Sequence, residues 1–449
     1  MESFNLDNVL VRLRSALERD DIAGATAILE GLRPADQADI FSELEDHEQV
    51  TLLPELDLSD SADILEKMDD QDAAELVAML APEAAVSIID KMEPDEAADL
   101  LGDLSPAQAE AVLAAMDDPE EVRPLLVHAD DSAGGLMTSE VLAMRCKMTA
   151  REALQTIRQW KPEAEEVYYL FVVDRNGVLN GVVSLRQLVI APPDARLEEI
   201  MEREVISVRT GTDQEECARL MSRYDLLALP VVDAAGKLLG MVTVDDIVDV
   251  LVDEATEDIH RLGGAQPFDR PYLDMPVLSI FRKRAGWLLL LFVTESLTGS
   301  VLRHFEEELQ TVVALTFFVP LLIGTGGNAG TQTTSTLIRA LATGEIDLQD
   351  ALRALWHELR IGLMLGVAMA AIAYARSLTW GSSQALALTV SLSIFAIVVW
   401  ANGMGSLLPI LATRLKIDPA VVSGPVMSTL VDATGLFIYF TIARLILRI

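Results

Sequence analysis

The chain has 449 residues, a formal net charge of −36 at pH 7 and 51% hydrophobic residues. A chain this apolar is not an acidic disordered protein, and its length allows more than one domain. The acids and the apolar residues are segregated, because residues 60–118 hold seventeen Asp or Glu and two Lys, whereas charged residues are sparse after Gly286. The composition therefore predicts an acidic soluble part followed by a membrane part.

The start of the chain and its cysteines indicate the cellular side of the soluble part. The opening sequence MESFNLDNVLVRLRSALERDD is charged and amphipathic, so we expect no signal peptide and a cytoplasmic N-terminal half. Cys146 and Cys217 are the two cysteines of the chain. So few cysteines suit a reducing compartment and argue against a disulfide framework or a four-cysteine zinc site.

Residues 60–117 contain a repeat with a period near twelve residues. Each unit combines an amphipathic helical pattern with a turn at Asp, Pro or Ser. Short helices that follow one another in this way predict a helical superhelix. Most of its acids are expected on the solvated face.

A longer repeat follows, with a constant offset of fifty-nine residues. The recurring residues are Val173, Asp174, Gly177 and Gly181 in the first copy and Val232, Asp233, Gly236 and Gly240 in the second. Each copy predicts a strand, a glycine turn, a second strand and a helix. The pattern, from residue 136 to residue 252, resembles a tandem pair of CBS domains, which form a pseudo-symmetric module that senses ligands.

A charged helix is predicted at residues 245–262, directly before the membrane part. Asp249, Asp253 and Glu257 are spaced by four residues and therefore share one helix face, with Asp246, Glu254 and Asp258 nearby. Like charges at this spacing repel one another. Divalent cations would relieve the repulsion, although a solvated acidic face is the simpler alternative.

Five apolar segments are predicted to cross the membrane. They lie at residues 285–302, 312–341, 361–375, 385–411 and 421–442, and the third is short for a span. Eight basic residues flank one side, and the other side holds four, at Arg303, Arg376, Arg444 and Arg448. The more basic side is expected to be cytoplasmic. Five spans then place the C-terminus outside.

Asp432 is the one ionisable residue in the apolar run at residues 420–443. A carboxylate at this depth is costly unless it faces a polar cavity or a partner. We expect it to face a water-lined path or a bound cation. The alternative is a carboxylate that Thr429, Thr434 or a neighbouring helix satisfies.

Three further features of the spans are notable. The run GTGGNAGTQTT at residues 324–334 should weaken its helix, so we expect unwound backbone that lines a cavity, or close helix packing through small residues. Gly424 and Pro425 predict a second local break before Asp432. Glu295, in the first span, is expected to make interhelical contacts or to lie near a polar rim rather than to bind an ion.

Carboxylate, carbonyl and hydroxyl oxygens without Cys or His are the ligand set of Mg²⁺, Ca²⁺ or Mn²⁺. Mg²⁺ keeps several of its waters and is held by one or two carboxylates. One Asp432 per chain would suit this ion if two chains met at a symmetry axis.

The whole arrangement resembles the MgtE family of magnesium transporters and channels. The motifs that carry the resemblance are DDSAGGLMT from Asp130, VTVDDIVDVL from Val242, EATEDIHRLG from Glu254, PLLIGTGGNAGTQ from Pro320 and LVDATGLFIY from Leu430. The resemblance implies a homodimer whose interface forms the pore, where Asp432 binds hydrated Mg²⁺. It also implies that Asn328, Thr331, Gly424 and Pro425 line the pore. Some members carry Asn where this chain has Thr331 or Gly424, so ion selectivity can differ.

The resemblance also implies that acidic residues sense Mg²⁺ between the N-domain, the CBS pair and the connecting helix, or plug. The matching residues are Asp63, Asp95 and Asp99, then Asp213, Glu215, Asp225 and Asp246, and then Asp249, Glu254, Glu257 and Asp258. High cytosolic Mg²⁺ would bring these domains together and close the pore, and low Mg²⁺ would leave their repulsion to open it. CBS pairs can bind adenine nucleotides, so ATP stays open as a second ligand.

The predicted fold is multidomain, with an all-α helical N-domain, an α/β tandem CBS pair, a connecting helix and an α-helical transmembrane domain of five spans. The expected boundaries are 1–130 for the N-domain, 131–198 and 199–252 for the CBS domains, 245–284 for the plug and its linker, and 285–449 for the pore domain. The expected partners are a second copy, the lipid bilayer and divalent cations, and no nucleic acid.

The favoured function is Mg²⁺ uptake across the cytoplasmic membrane. A transporter of other divalent cations such as Co²⁺ and Mn²⁺ is the first alternative. A CBS-regulated anion transporter would need basic residues in the spans, where the chain has Asp432 instead. A membrane-anchored enzyme would need a catalytic constellation, but the five histidines are scattered. We therefore expect no enzymatic activity.

Overall fold

The structure is a computed structural model of the whole chain, and it describes residues 6–160, 169–268, 272–273, 275–422 and 424–449. It divides into two compact units, residues 1–251 and residues 252–449. Each unit has its own hydrophobic core.

The first part of unit 1 is a run of short helices. They are α1 (Leu6–Leu17), α2 (Ile22–Leu29), α3 (Pro34–Ser42), α4 (Asp46–Leu52), α5 (Leu58–Glu66), α6 (Asp70–Met79), α7 (Pro82–Ile89), α8 (Pro94–Asp103), α9 (Pro106–Leu113) and α10 (Pro119–Val122). Proline begins five of them, because the first helical residue needs no N–H partner. The predicted helical repeat is confirmed, and similar short helices already begin at Ile22.

Two small sheets follow in the same unit. The elements are β1 (Ala143–Arg145), α11 (Ala150–Trp160), β2 (Tyr169–Val173), β3 (Leu179–Ser184), α12 (Leu185–Ile190), α13 (Leu197–Ile200), β4 (Val208–Arg209), α14 (Gln214–Tyr224), β5 (Ala228–Val232) and β6 (Leu238–Thr243). In each sheet the middle strand pairs in parallel with the first and antiparallel with the third. The identical topology confirms the second repeat.

The two repeats meet at their glycine turns. Gly177 and Gly236 have φ of 85° and 80°, a conformation that favours glycine. The amide of Leu179 donates to the Gly236 carbonyl at 3.0 Å, and the amide of Leu238 donates to the Gly177 carbonyl at 3.0 Å. These reciprocal bonds pair the two halves as a pseudo-symmetric module.

The charged helix is α15 (Val244–Leu262), and the division between the units falls within it. Its start is capped by Asp246, which accepts hydrogen bonds from the amide of Thr243 at 3.3 Å and from its hydroxyl at 2.6 Å. Because α15 is one continuous helix, Asp249, Asp253 and Glu257 share one face, as predicted.

Within its described residues, unit 2 contains five helices that are long and apolar enough to cross a membrane. The helices of this unit are α16 (Val277–His304), α17 (Glu306–Thr311), α18 (Val319–Ala342), α19 (Ala351–Thr379), α20 (Gln384–Arg414) and α21 (Gly424–Leu447), with α17 as the short connection between the first two spans. The third span was expected to be short, but α19 has 29 residues, because its helix includes the polar residues before residue 361.

The predicted break at residues 324–334 is wrong, because α18 is a continuous helix through the glycine run. A Cβ at Gly326 would lie 2.6 Å from Ile397 and 2.7 Å from Val431, and one at Gly330 would lie 2.8 Å from Met427. The glycines therefore let α18 pack closely on α20 and α21. This packing offsets their low helix propensity and matches the alternative of close packing through small residues.

The break predicted at Gly424 and Pro425 is the start of α21 rather than an interruption within it. Proline in the first turn of a helix removes an N–H that would have no intrahelical partner.

Polar bonds also join α18 to α19 and α20. The Thr333 hydroxyl of α18 donates to Asn402 of α20 at 2.8 Å and to Glu358 of α19 at 3.3 Å. These bonds fix α18 against its neighbours.

Candidate functional site

Asp432 lies in the first half of α21 and is partly buried. Its Oδ1 is buried and has no hydrogen-bond partner among the described residues. The two threonines that could have satisfied it donate to backbone carbonyls of their own helix, Thr429 to Pro425 at 3.0 Å and Thr434 to Leu430 at 2.7 Å. The carboxylate is therefore available for a ligand.

The seam between α18 and α21 places other oxygen atoms near Asp432. Gly327 of α18 approaches so closely that a Cβ there would lie 3.2 Å from the Ser428 hydroxyl and 3.8 Å from Asp432 Oδ1. One turn further along, the Thr331 hydroxyl lies 3.4 Å from the Gly424 carbonyl and 3.5 Å from the Ser428 hydroxyl. A row of oxygens thus leads from Asp432 toward the start of α21.

The structure brings together two of the four predicted pore-lining residues. Thr331 and Gly424 lie at the seam, whereas Asn328 is exposed on α18 and Pro425 lies beside Gly264. Ser428 is the seam residue that the sequence analysis missed. Its signal was available, since Gly424, Ser428 and Asp432 are four residues apart and so form one stripe of a helix.

A second acidic site lies within unit 1, where α8 meets the start of α15. Burial, then Asp246 and neighbouring acids, raises the pKa of Asp95 well above its usual range. Burial chiefly raises the pKa of Glu96 to about 8 and that of Asp99 to about 7. Burial also raises the pKa of Asp246 to about 6, against the hydrogen bonds from Thr243. We call these four residues the acidic cluster.

Lys67 supplies a positive charge to the acidic cluster. Burial lowers its pKa, but Glu96, Asp249, Glu66 and Asp245 outweigh burial, and the pKa is raised. Asp249 is thus linked to the cluster through Lys67. Asp63 lies on the same helix run, within α5.

The remaining predicted sensing residues of unit 1 lie at the ends of α14. Asp213 caps its start and accepts from the amide of Glu215 at 3.0 Å. Asp225 ends the helix in a left-handed conformation with φ of 52°. Both aspartates therefore have local backbone roles in this structure.

The end of α15 forms a third charged site, inside unit 2. Arg261 makes ion pairs with Glu257 of its own helix and with Asp418 in the connection between α20 and α21. Burial, Asp418 and Glu254 raise the pKa of Asp258. These acids therefore lie close enough to repel one another. In the part of the chain that the structure describes, no three His, Cys, Asp or Glu side chains form a ready metal-binding group.

Comparisons with known proteins agree with this architecture. The model of the MgtE family, described as a divalent cation transporter, matches residues 319–442, and that of the MgtE intracellular N domain matches residues 32–130. The CBS domain model matches residues 133–194 and 197–253. These matches cover the helical, paired-sheet and membrane parts.

Full-length relatives and solved structures are also similar. The magnesium transporter MgtE of Thermus thermophilus is 47% identical over 73% of this chain and 73% of its own length. That of Bacillus subtilis is 35% identical over 73% of this chain and 72% of its own length. The cytosolic domain of the Mg²⁺ channel MgtE, solved in complex with ATP, is 39% identical with a TM-score of 0.52, over 54% of this chain and 99% of that domain. The chain belongs to the MgtE family of magnesium transporters.

Proposed function

We propose that this chain transports Mg²⁺ across the membrane and that Asp432 binds the ion on its path. The observation that carries the proposal is the unpartnered, buried oxygen of a carboxylate inside a membrane helix. An intramembrane carboxylate without a protein partner is typical of an ion pathway. Relatives named magnesium transporters, at 47% and 35% identity, support the choice of ion.

The chemistry of the seam suits a hydrated ion. Asp432 supplies one negative charge, and the neighbouring groups are the hydroxyls of Ser428 and Thr331 and the carbonyl of Gly424. Mg²⁺ gives up its waters reluctantly, so hydroxyls and carbonyls can accept hydrogen bonds from those waters while the carboxylate balances charge. Exposed Asn328 of α18 would extend the same lining.

Cytosolic Mg²⁺ regulates the transport in this proposal. Asp246 repels both Asp95 and Asp99 in the acidic cluster, and a divalent cation between these groups would stabilise the docked arrangement. Asp249, Glu254, Glu257 and Asp258 of α15 would act in the same way, with Asp63, Asp213, Glu215 and Asp225 as further ligands. A cation that binds the docked state more tightly shifts the population toward it, and that state is the closed one.

Assembly and orientation follow as part of the proposal. Two copies would form the pore, with one Asp432 from each. The basic loops place the N-terminal half in the cytoplasm and the C-terminus outside the cytoplasmic membrane. ATP is a candidate ligand of the CBS pair, because a 39% identical cytosolic domain was solved with ATP. The proposal retains the domain boundaries expected from the sequence, after residues 130, 198 and 252.

A broader divalent cation transporter is the second candidate, because the family model that matches the membrane part is described as a divalent cation transporter. An anion transporter is disfavoured by Asp432, since a carboxylate on the path would repel the cargo. The chain carries no catalytic role in this proposal.

The experiment is Mg²⁺ uptake into proteoliposomes that contain the wild-type chain or Asp432→Ala. We expect uptake by the wild type and background uptake by the variant, with Co²⁺, Mn²⁺ and Ca²⁺ added in turn as competitors. Equal uptake by the variant would move the ion site away from Asp432. No uptake by the wild type, with metal-free buffer on the cytoplasmic face, would overturn the transport function.

A further inference from the structure

Glu295 is a second carboxylate in the membrane helices. It lies in α16, eighteen residues after the first residue of that helix, and its side chain is exposed on the single chain. Within the described ranges it makes no hydrogen bond or ion pair. Within the described part of one chain, Glu295 therefore makes no interhelical hydrogen bond, and its charge needs a further explanation.

Glu295 lies at the same depth in the bundle as Asp432. Phe305, directly after the end of α16, stacks on Phe440 of α21 with ring centres 5.1 Å apart, and Leu297 and Ala433 line one apolar cavity of about 790 Å³. Because the two helices run in the same direction, residues shortly before Leu297 and Ala433 share one level.

A third polar group near this level lacks a partner. Thr298 is 6% exposed, and its hydroxyl makes no hydrogen bond within the part of the chain that the structure describes. Thr298 follows Glu295 by three residues, so the two side chains are neighbours on α16. Three polar groups without protein partners, Asp432 Oδ1, the Thr298 hydroxyl and the Glu295 carboxylate, therefore occur where α16 meets α21.

Two carboxylates at one level of an apolar layer are costly unless they face a polar cavity, a protein partner or a cation. We propose that Glu295 is a second cation-binding carboxylate of the transport path and favours hydrated divalent over monovalent cations. The proposal rests on the transport function proposed above. A divalent ion interacts twice as strongly as a monovalent ion with each carboxylate, so a second carboxylate increases the difference between them.

Glu295→Gln tests the proposal because it removes the charge and keeps the shape. We expect the Mg²⁺ concentration for half-maximal uptake to rise about tenfold, and the Mg²⁺ over Na⁺ selectivity, from reversal potentials in planar bilayers, to fall by a similar factor. Glu295→Asp keeps the charge and should stay within about threefold of wild type in both readouts. Glu307→Gln, on the exposed connection α17, is the matched control for net charge.

The outcomes are distinguishable. A Glu295→Gln variant that matches Glu307→Gln in both readouts would overturn the role of Glu295 while the transport function stands. If Glu295→Gln does not fold, Glu295→Asp still tests the proposal. A folded Glu295→Asp variant that had lost the preference for Mg²⁺ over Na⁺ would also contradict it. Absence of Mg²⁺ uptake by the wild type would overturn both proposals together.

Discussion

The membrane seam and the acidic cluster use carboxylates in opposite ways. At the seam, Asp432 stands among hydroxyls and a carbonyl, and its Oδ1 accepts no hydrogen bond from any residue that the structure describes. In the acidic cluster, Asp95, Glu96 and Asp99 crowd against Asp246, and their pKa values are raised. In the proposed function, the seam would offer few charges to an ion that must leave again, whereas the cluster would offer many charges to ions that hold two elements together.

The two regions need different affinities for a cation. A conducting site must bind a cation weakly enough to release it, and neutral oxygens around one carboxylate meet that need. A sensing site gains its affinity from relief of repulsion, which exists only while α8 and α15 are close. Its binding is therefore coupled to the arrangement of the domains by linkage.

The largest expected effect comes from variants that remove one negative charge from each region. Asp432→Asn should lower initial Mg²⁺ uptake at least about 100-fold, because the charge that attracts the ion is lost. Asp246→Asn should leave uptake at low cytosolic Mg²⁺ within about twofold of wild type and alter only its inhibition by Mg²⁺. Fluorescent-dye uptake in proteoliposomes measures both. Similar loss of uptake in the two variants would show that the regions do not have separate roles.

The acidic cluster also predicts a pH dependence of stability without Mg²⁺. The folded-state pKa values of Glu96 and Asp99 are about 8 and about 7, above those of the unfolded chain. The folded chain therefore binds more protons, so its extra stability is present at low pH and is lost as pH rises through 7 to 8. The free energy of opening of α8 should fall by at most about 7 kcal/mol between pH 5 and pH 8.5, since above pH 5 the two groups hold their extra protons over about three and about two pH units.

Hydrogen exchange of the full chain in detergent, corrected for the intrinsic effect of pH, measures this opening. Helix α2, which carries no acidic residue between Ile22 and Leu29, serves as the internal control. Millimolar Mg²⁺ at pH 8.5 should restore the protection of α8. A change of equal size in both helices would assign the effect to general destabilisation rather than to the cluster.

A smaller effect is expected from the width of the seam. Gly327→Ala would place a methyl group 3.2 Å from the Ser428 hydroxyl, so α18 and α21 must separate by a few tenths of an ångström. We expect about tenfold slower Mg²⁺ uptake with thermal stability nearly unchanged. Gly324→Ala, where a Cβ meets nothing within 4 Å, is the control on the same helix. Equal rates for the two variants would contradict a functional seam at Gly327.

Local sequence patterns predicted much of this architecture and part of the site. The fifty-nine-residue repeat correctly predicted two sheets of the same topology, because strand, turn and helix signals are local. The four-residue spacing of the acids on α15 correctly predicted that they share one helix face, for the same reason. Asp432 could be singled out because an ionisable residue in a span is costly wherever the helices pack.

Features that depend on long-range packing were not predicted. Glycine propensity favoured a break in α18, but contacts of Gly326 with Ile397 and Val431 outweigh it. Neither the link between Lys67 and Asp249 nor the ion pair of Arg261 with Asp418 has a local signal, since the partners are far apart in sequence. The lack of a protein partner for Asp432 likewise depends on where its neighbours donate.

Lys67 gives the smallest predicted effect and the most direct test of the acidic cluster. It stands near Glu96 and Asp249 and partly balances their charge. Lys67→Gln should therefore increase α8 hydrogen exchange about threefold in the absence of Mg²⁺, because repulsion increases. Saturating Mg²⁺ should remove the difference, since the ion supplies the missing positive charge.

Lys91→Gln, in the turn before α8, removes the same charge from the same part of the chain and should change exchange in neither condition. If Lys67→Gln stayed more mobile than wild type at saturating Mg²⁺, the lysine would act through packing of its aliphatic chain instead of its charge. A difference that Mg²⁺ removes would identify Lys67 as a permanent, partial substitute for the regulatory ion. Such a substitute explains how the cluster can remain docked at intermediate Mg²⁺, because only the unbalanced part of its charge must then be neutralised.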